Sequence, residues 1–469
     1  MSARPRSGYV LSLAVAWWLA GTLVAEGSAV SEQAEAAPGA RAQKATQEGS
    51  RWEDLMEAGA DANARGRYAE AEKTYRAALV EADGFGEDDP RRAVTLNNLA
   101  LVCNKRGNHS EAEALLEQAL ALDERSSGSE SIEAATSLNN LALTYSRAGK
   151  YAEAESLHKR VLAIQENVLG FTGSEVALSL SNLAYTYQKE GRSVEAEALY
   201  AHAVALLEKS FGEQHRDVAL VLSNLGRLFT ERRSLAEAEP VLRRALAIRE
   251  KVLAPDHPDV AMSLNDLGVV YVLEGKYDRA RGYYERALPI LEKAFGPEHR
   301  LTAGLYQNLA DLNSYQGGYD AAEAFYKKAL TAREEVLGAE APDLACTLNN
   351  LGVLYSKQGK YGDAEPLLRR ALRIYEKALG PEDHSVAETL RNLADMYRQQ
   401  GKYGDAEPLY ERTLALHEKY LGPDDPAVAV ILEAYADLLR KTGRQSKAEA
   451  FEARIERIRA SSRQADPSE

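Results

Sequence analysis

Apolar residues along most of this chain recur at intervals of three and four. Leu348, Leu351, Gly352 and Tyr355 stand at i, i+3, i+4 and i+7, which places them on one face of an α-helix. A second segment follows, with Ala364, Leu368 and Ala371 again on one face, and Ala196, Tyr200, Ala203 and Ala322, Tyr326, Ala329 are its counterparts elsewhere. Between the two segments lies a Gly-Lys-Tyr mark, present at Gly149, Gly275, Gly359 and Gly401, with variants at Gly66, Gly107, Gly191, Gly317 and Gly443, and Arg233 in the remaining slot. The first interval between marks is 41 residues and the other eight are 42. Glycine there ends the first helix, because it takes positive φ without steric cost. Loops such as Gly422-Pro423-Asp424-Asp425-Pro426 separate the couplets: proline stops the second helix, and the acidic residue caps the next one.

One couplet cannot bury its apolar face alone, so couplets must stack. Each buried Leu or Tyr contributes roughly 1.5–3 kcal/mol, set against ordering costs of about 1–2 kcal/mol per residue. The pattern therefore predicts an all-α fold, a right-handed α-solenoid of about ten helix pairs over residues 51–461. Small residues at Gly352, Ala100, Ala142 and Gly268 admit a close neighbouring helix. Pro289 falls inside a second helix, where it removes a hydrogen bond and should kink it, whereas Pro240, Pro366 and Pro408 are read as lying in the first helical turn.

The pattern Leu348 to Tyr355, Ala406 with Tyr410 four residues on, and the loop prolines resemble the tetratricopeptide repeat. The 42-residue period and the phrase Leu-Asn-Asn-Leu (Leu96 to Leu99, Leu138 to Leu141, Leu348 to Leu351) resemble more specifically the kinesin-light-chain and nephrocystin type. The resemblance implies a helical superhelix that binds other proteins. It does not extend to a motor subunit, since no heptad segment precedes the repeats.

The N-terminus follows other rules. Arg4 and Arg6 precede an apolar run from Val10 to Leu19, and small residues follow, with Ala25-Glu26-Gly27 or Gly27-Ser28-Ala29 as the cleavage site. This is the order of an export signal, so residues 1–29 are read as a signal peptide or an uncleaved membrane anchor. Residues 30–50 read as a flexible linker and 462–469 as a disordered tail. The expected location is exported: periplasmic, extracellular or membrane-tethered.

Charge and composition narrow the chemistry. A formal charge of −14 gives no basic stripe for nucleic acid. The two cysteines, Cys103 and Cys346, lie in distant repeats, and Cys103 reads as an apolar filler. His215, His257 and His299 recur every 42 residues, one per loop, too widely spaced in a stack to share a metal, and are assigned to turns and caps. No phosphate loop, zinc-protease motif or nucleophile elbow occurs, so no catalytic residue, metal or cofactor is expected.

One polar column remains. With Leu348 at zero and 100° per residue, Leu351, Gly352 and Tyr355 cluster within about 60°, while Asn350 lies near about 200° and faces away from the pair's own core. Asparagine repeats at this position as Asn98, Asn140, Asn182, Asn224, Asn308, Asn350 and Asn392, with Asp266 among them. Asparagine is a poor helix former, so helix propensity does not explain it. Its amide suits gripping an extended peptide in a concave groove, a role the family resemblance also implies. Hydrogen bonds between adjacent repeats, or recent duplication, explain the column equally. The first asparagines, Asn97, Asn139 and Asn349, point to the repeat–repeat interface. Seven residues further along the same wall, Lys105, Arg147 and Lys189 make its N-terminal part basic, followed by Glu231, Leu273 and Tyr315. An acidic or carboxylate-bearing segment would dock there. The function expected is a non-enzymatic scaffold for a protein or peptide. The alternatives are a self-associating structural protein and an accessory subunit of an envelope complex.

Overall fold

The computed structural model describes residues 45–170 and 174–465. Among them are twenty α-helices, α1 to α20 in chain order, and no strand. The first helices of the pairs are α1 (Ala45–Ala64), α3 (Pro90–Lys105), α5 (Ile132–Arg147), α7 (Ser174–Glu190), α9 (Arg216–Glu231), α11 (Pro258–Leu273), α13 (Arg300–Tyr315), α15 (Pro342–Lys357), α17 (His384–Gln400) and α19 (Pro426–Lys441). The second helices are α2 (Tyr68–Asp83), α4 (His109–Ser126), α6 (Tyr151–Leu169), α8 (Ser193–Phe211), α10 (Leu235–Val252), α12 (Tyr277–Phe295), α14 (Tyr319–Leu337), α16 (Tyr361–Leu379), α18 (Tyr403–Leu421) and α20 (Gln445–Ala465). The helices fall into two compact units, one ending at Leu305 and the other beginning at Tyr306.

The mark works as a helix stop. Its glycines take φ between +73° and +89°, and Arg233 is the one non-glycine at positive φ among the described residues, at +62°. The next residue donates its N–H to the carbonyl five positions back, as Lys360 does to Tyr355 at 2.9 Å and Ser234 to Phe229 at 2.9 Å. Arg233 makes the same turn at a conformational cost of roughly 1–2 kcal/mol. Inside the pair, closeness is steric. A Cβ on Gly268 would lie 2.2 Å from Tyr284, and one on Gly352 would lie 2.7 Å from Leu368.

The lysine of the mark, or the arginine in its place, stitches successive pairs. Lys150 meets Glu113 at 2.7 Å, Arg192 meets Glu155 at 2.7 Å, and Arg444 meets Glu407. A second row joins the C-terminal part of one second helix to the middle of the next: Arg160 with Glu124 at 2.8 Å, Arg370 with Glu334 at 2.7 Å, Arg412 with Glu376 at 2.6 Å. Such half-exposed pairs fix register more than they add stability. Within each unit the first helices also touch one another, α3 with α5, α5 with α7, α7 with α9 and α9 with α11 in the first unit, α15 with α17 and α17 with α19 in the second. Successive second helices approach less closely. The layer with the shorter spacing lies on the inside of a curve, so the first helices form the inner wall.

Several expectations need correction. The first helix begins at Ala45, inside the stretch read as linker 30–50, and the last runs to Ala465 rather than 461. Residues 1–29 and 30–44 lie outside the described residues, as do 466–469 of the expected tail. Pro240, Pro366 and Pro408 are the sixth residues of their helices, not members of the first turn. The cap is the residue just after the mark's first position (Ser234, Lys360, Lys402), so each helix starts earlier than the prolines suggested. Pro289 sits within a helix that continues to Phe295. Cys103 is buried, and burial pushes its thiol up to about 12.

Candidate peptide-binding wall

In the first unit the asparagine column runs down α3, α5, α7 and α9. Asn98 is half-exposed and donates to the Val94 carbonyl of its own helix at 3.2 Å. The next three are buried and reach across to the preceding pair. Asn140 Nδ2 donates to Asn97 Oδ1 at 2.8 Å, Asn182 Nδ2 to Asn139 Oδ1 at 3.0 Å, and Asn224 Nδ2 to Ser181 Oγ at 3.3 Å. Asn97 also donates to Ser137 Oγ at 2.8 Å, so the first asparagine of the phrase lies at the repeat–repeat interface as expected.

The second unit repeats the scheme. Asn392 Nδ2 donates to Asn349 Oδ1 at 3.0 Å, Asn350 Nδ2 donates to Asp311 Oδ1 at 3.2 Å, and Asn308 is buried. The amide donors thus form rungs between neighbouring pairs, which the sequence held open beside peptide contact. The carbonyl side differs. Among the described residues no donor meets Oδ1 of Asn140, Asn182 or Asn224, yet none of these oxygens is sealed from solvent. With its amide fixed by a rung, each is an acceptor of set direction.

The basic column lies seven residues, about two turns, along. Lys105 Nζ donates to Asn63 Oδ1 at 3.2 Å and stands 5.8 Å from the Tyr68 ring centre. Arg147 is half-buried, and its charge acts with burial to lower His109. Lys189 stands 3.8 Å from Glu231, the next member of its column. Burial lowers its ammonium, and Glu231 opposes that shift. The three cations therefore share one wall, with Lys189 partly balanced.

At Asp266 the column changes chemistry. Arg227 grips this buried carboxylate through Nε at 3.0 and 3.2 Å and through a second nitrogen at 2.9 Å. Burial raises Asp266, and Arg227 pulls it back. Arg249, also buried, donates to Ser263 Oγ at 2.6 Å, and burial lowers it. Its sequence signal was available: Asp266 departs from asparagine, and Arg227 stands where Tyr185 stands one period earlier. In the second unit Asp311, bonded by Tyr326 and Asn350, is pushed by burial to about 6.

The loop histidines cap helices. The ring Nδ1 of His215, His257 and His299 faces the backbone N–H two residues on, at 3.3, 3.1 and 3.2 Å. No group of metal-ligating side chains occurs among the described residues, and none of their helices is long and apolar enough to cross a membrane.

Comparison with known proteins supplies the lineage. The tetratricopeptide repeat family model matches residues 55–125, 91–167, 175–251, 231–293, 259–335, 301–377, 343–418 and 385–461. Among solved structures, the chain is similar to BtubC (BKLC) from P. vanneervenii, with 26% identity over 50% of this chain and 91% of that one, at a TM-score of 0.41. It is also similar to a putative kinesin light chain with nearly identical TPR-like repeats from Podosopora anserina, with 29% identity over 44% of this chain and 97% of that one, at a TM-score of 0.36. A Rap protein complexed with Competence and Sporulation Factor shares the fold at 16% identity, over 80% of this chain and 99% of that one, at a TM-score of 0.50. No curated protein matches the chain. With family matches running from residue 55 to 461, broken only between 167 and 175, the chain belongs to the tetratricopeptide repeat family.

Proposed function

We propose that the protein is a non-catalytic, exported interaction scaffold whose first unit receives an extended, acidic peptide segment on its inner wall. The observation that carries this reading is the row of carbonyl oxygens on Asn140, Asn182 and Asn224, held by their amide rungs, with Lys105, Arg147 and Lys189 about two turns further along the same layer of helices. An extended peptide has free backbone N–H groups, and each bond to a fixed carbonyl contributes about 0.5–1.5 kcal/mol. The basic column supplies the preference for acidic side chains or a terminal carboxylate. Rungs that hold the acceptors before binding reduce the ordering cost of the complex.

A peptide array of fixed length and graded acidity tests this directly. The parent chain should retain acidic peptides over neutral ones, and Lys105→Glu with Arg147→Glu should abolish that preference while helical content stays unchanged. Equal retention of neutral and acidic peptides by the parent would contradict the reading. Export rests on the leader from Arg4 to Ala29. A fusion of residues 1–50 to a phosphatase that folds only outside the cytoplasm should be active, and an inactive but intact fusion would contradict export.

A further inference from the structure

We propose that the first unit is a closed turn of six helix pairs, clasped where His299 packs on the Gly66 turn, and that a proton on His299 releases the clasp. The closure does not depend on any peptide and stands apart from the binding role above.

Three equivalent histidines make the case. His215, His257 and His299 occupy the same loop position and cap the next helix through the same bond, at 3.3, 3.1 and 3.2 Å. Phe211 stacks on His215 at 4.5 Å, and Phe295 stacks on His299 at 4.4 Å, so the local aromatic cover matches too. Exposure does not match. His215 and His257 are half-exposed, whereas His299 is buried. The extra cover comes from the first pair, 233 positions earlier in the chain: a Cβ on Gly66 would lie 2.4 Å from His299 Cδ2. The mark glycines Gly107, Gly149, Gly191 and Gly275 have nothing within 4 Å of the same point. Only the first mark is covered, as expected where a curved stack meets its own start.

The seam is built against a proton. Arg65 and Arg67 flank Gly66 and are held by Asp61 at 2.8 and 3.0 Å, with Arg67 also meeting Glu70 at 2.7 Å. Arg300 follows His299 on its own helix, Glu298 precedes it, and Lys105 reaches in from the second pair. Burial, then Arg300 and Lys105, lower His299 to about 4. Once released, the imidazole returns to an ordinary value near about 6.5. The neutral ring therefore favours closure and the protonated ring favours the open form. Closure is fully supported above about pH 6.5 and weakens about tenfold per unit as pH falls towards about 4. Lys105 belongs to the basic wall, so the seam sits at that wall's edge.

Spin labels at Ala69→Cys and Ala294→Cys, in the full chain with Cys103 and Cys346 replaced by Ala, report the closure as an inter-label distance. The parent should give one short distance at pH 7.5 and a growing long-distance population at pH 5.0, with helical content retained. Gly66→Ala should give the long distance already at pH 7.5. Gly107→Ala strains its turn equally (φ +80° against +74°) without meeting His299, and should match the parent. His299→Asn keeps a capping acceptor but cannot titrate, so its distances should be the same at both pH values. A short distance in Gly66→Ala, or long distances in the parent at pH 7.5, would overturn the closure. An acid shift that persists in His299→Asn would overturn the proton release.

Discussion

Two stretches of the first unit's inner wall solve one problem with different chemistry. Between α3, α5 and α7 the polar column is neutral, with Asn140 on Asn97 and Asn182 on Asn139. Between α9 and α11 it is charged, with Arg227 on Asp266 and Arg249 buried nearby. A neutral rung places little at stake: both partners are uncharged dipoles, and the net gain is about 1 kcal/mol. A buried ion pair carries a desolvation cost that its partner only offsets, so it is sensitive to truncation and to pH. The wall therefore has a tolerant N-terminal half and a brittle later stretch, although the backbone beat is the same in both.

The largest expected effect breaks the charged rung. Asp266→Ala leaves the buried Arg227 guanidinium without its carboxylate and should cost about 3–5 kcal/mol in denaturant unfolding of the full chain. Restoring the neutral pattern with Asp266→Asn and Arg227→Tyr, the residues one period earlier, should recover most of that loss. A double variant no more stable than Asp266→Ala would mean the brittleness does not come from charge.

Next comes a buried group that the neutral half keeps uncharged. His158 lies on α6 with both ring nitrogens unbonded, and burial lowers it to about 3. Its folded value is depressed below the ordinary 6.5, so its neutral form favours folding. Stability is intact above about pH 6.5 and falls by about 1.4 kcal/mol per unit as pH drops towards about 3. His158→Leu, the residue at Leu116 one period earlier, should flatten this slope when unfolding midpoints are compared at pH 7 and pH 5. An unchanged slope would place the acid sensitivity elsewhere.

The smallest effect sharpens the tolerant side. Asn140→Ala removes the donor to Asn97 and should cost only about 1 kcal/mol in the same unfolding experiment. A loss as large as that of Asp266→Ala would erase the distinction between the two stretches.

How much of this could be read from the chain follows from range. The helix pairs were legible because their signals are local: the i, i+3, i+4 spacing, the mark glycines and the loop prolines each act within a turn or two. The asparagine column was legible as a departure from helix propensity. An angle on an isolated helix shows that Asn140 faces away from its own pair, and it does not show what the next pair brings to meet it. The partner of Asp266 lies 39 residues back at Arg227, a separation no local pattern encodes. The contact of His299 with Gly66 depends on the curvature summed over six pairs, so the sequence placed both residues in turns and gave no hint that they meet. The misplaced prolines had a simpler cause: the helix starts at the mark itself.

The role of the inner wall is tested most directly by hydrogen exchange of the full chain with and without an acidic peptide selected on the array. The account predicts added protection concentrated in α5 and α7, over Ile132–Arg147 and Ser174–Glu190, with the outer helices α6 and α8 unchanged. Protection confined to α6 and α8, with α5 and α7 exchanging as in the free chain, would contradict it.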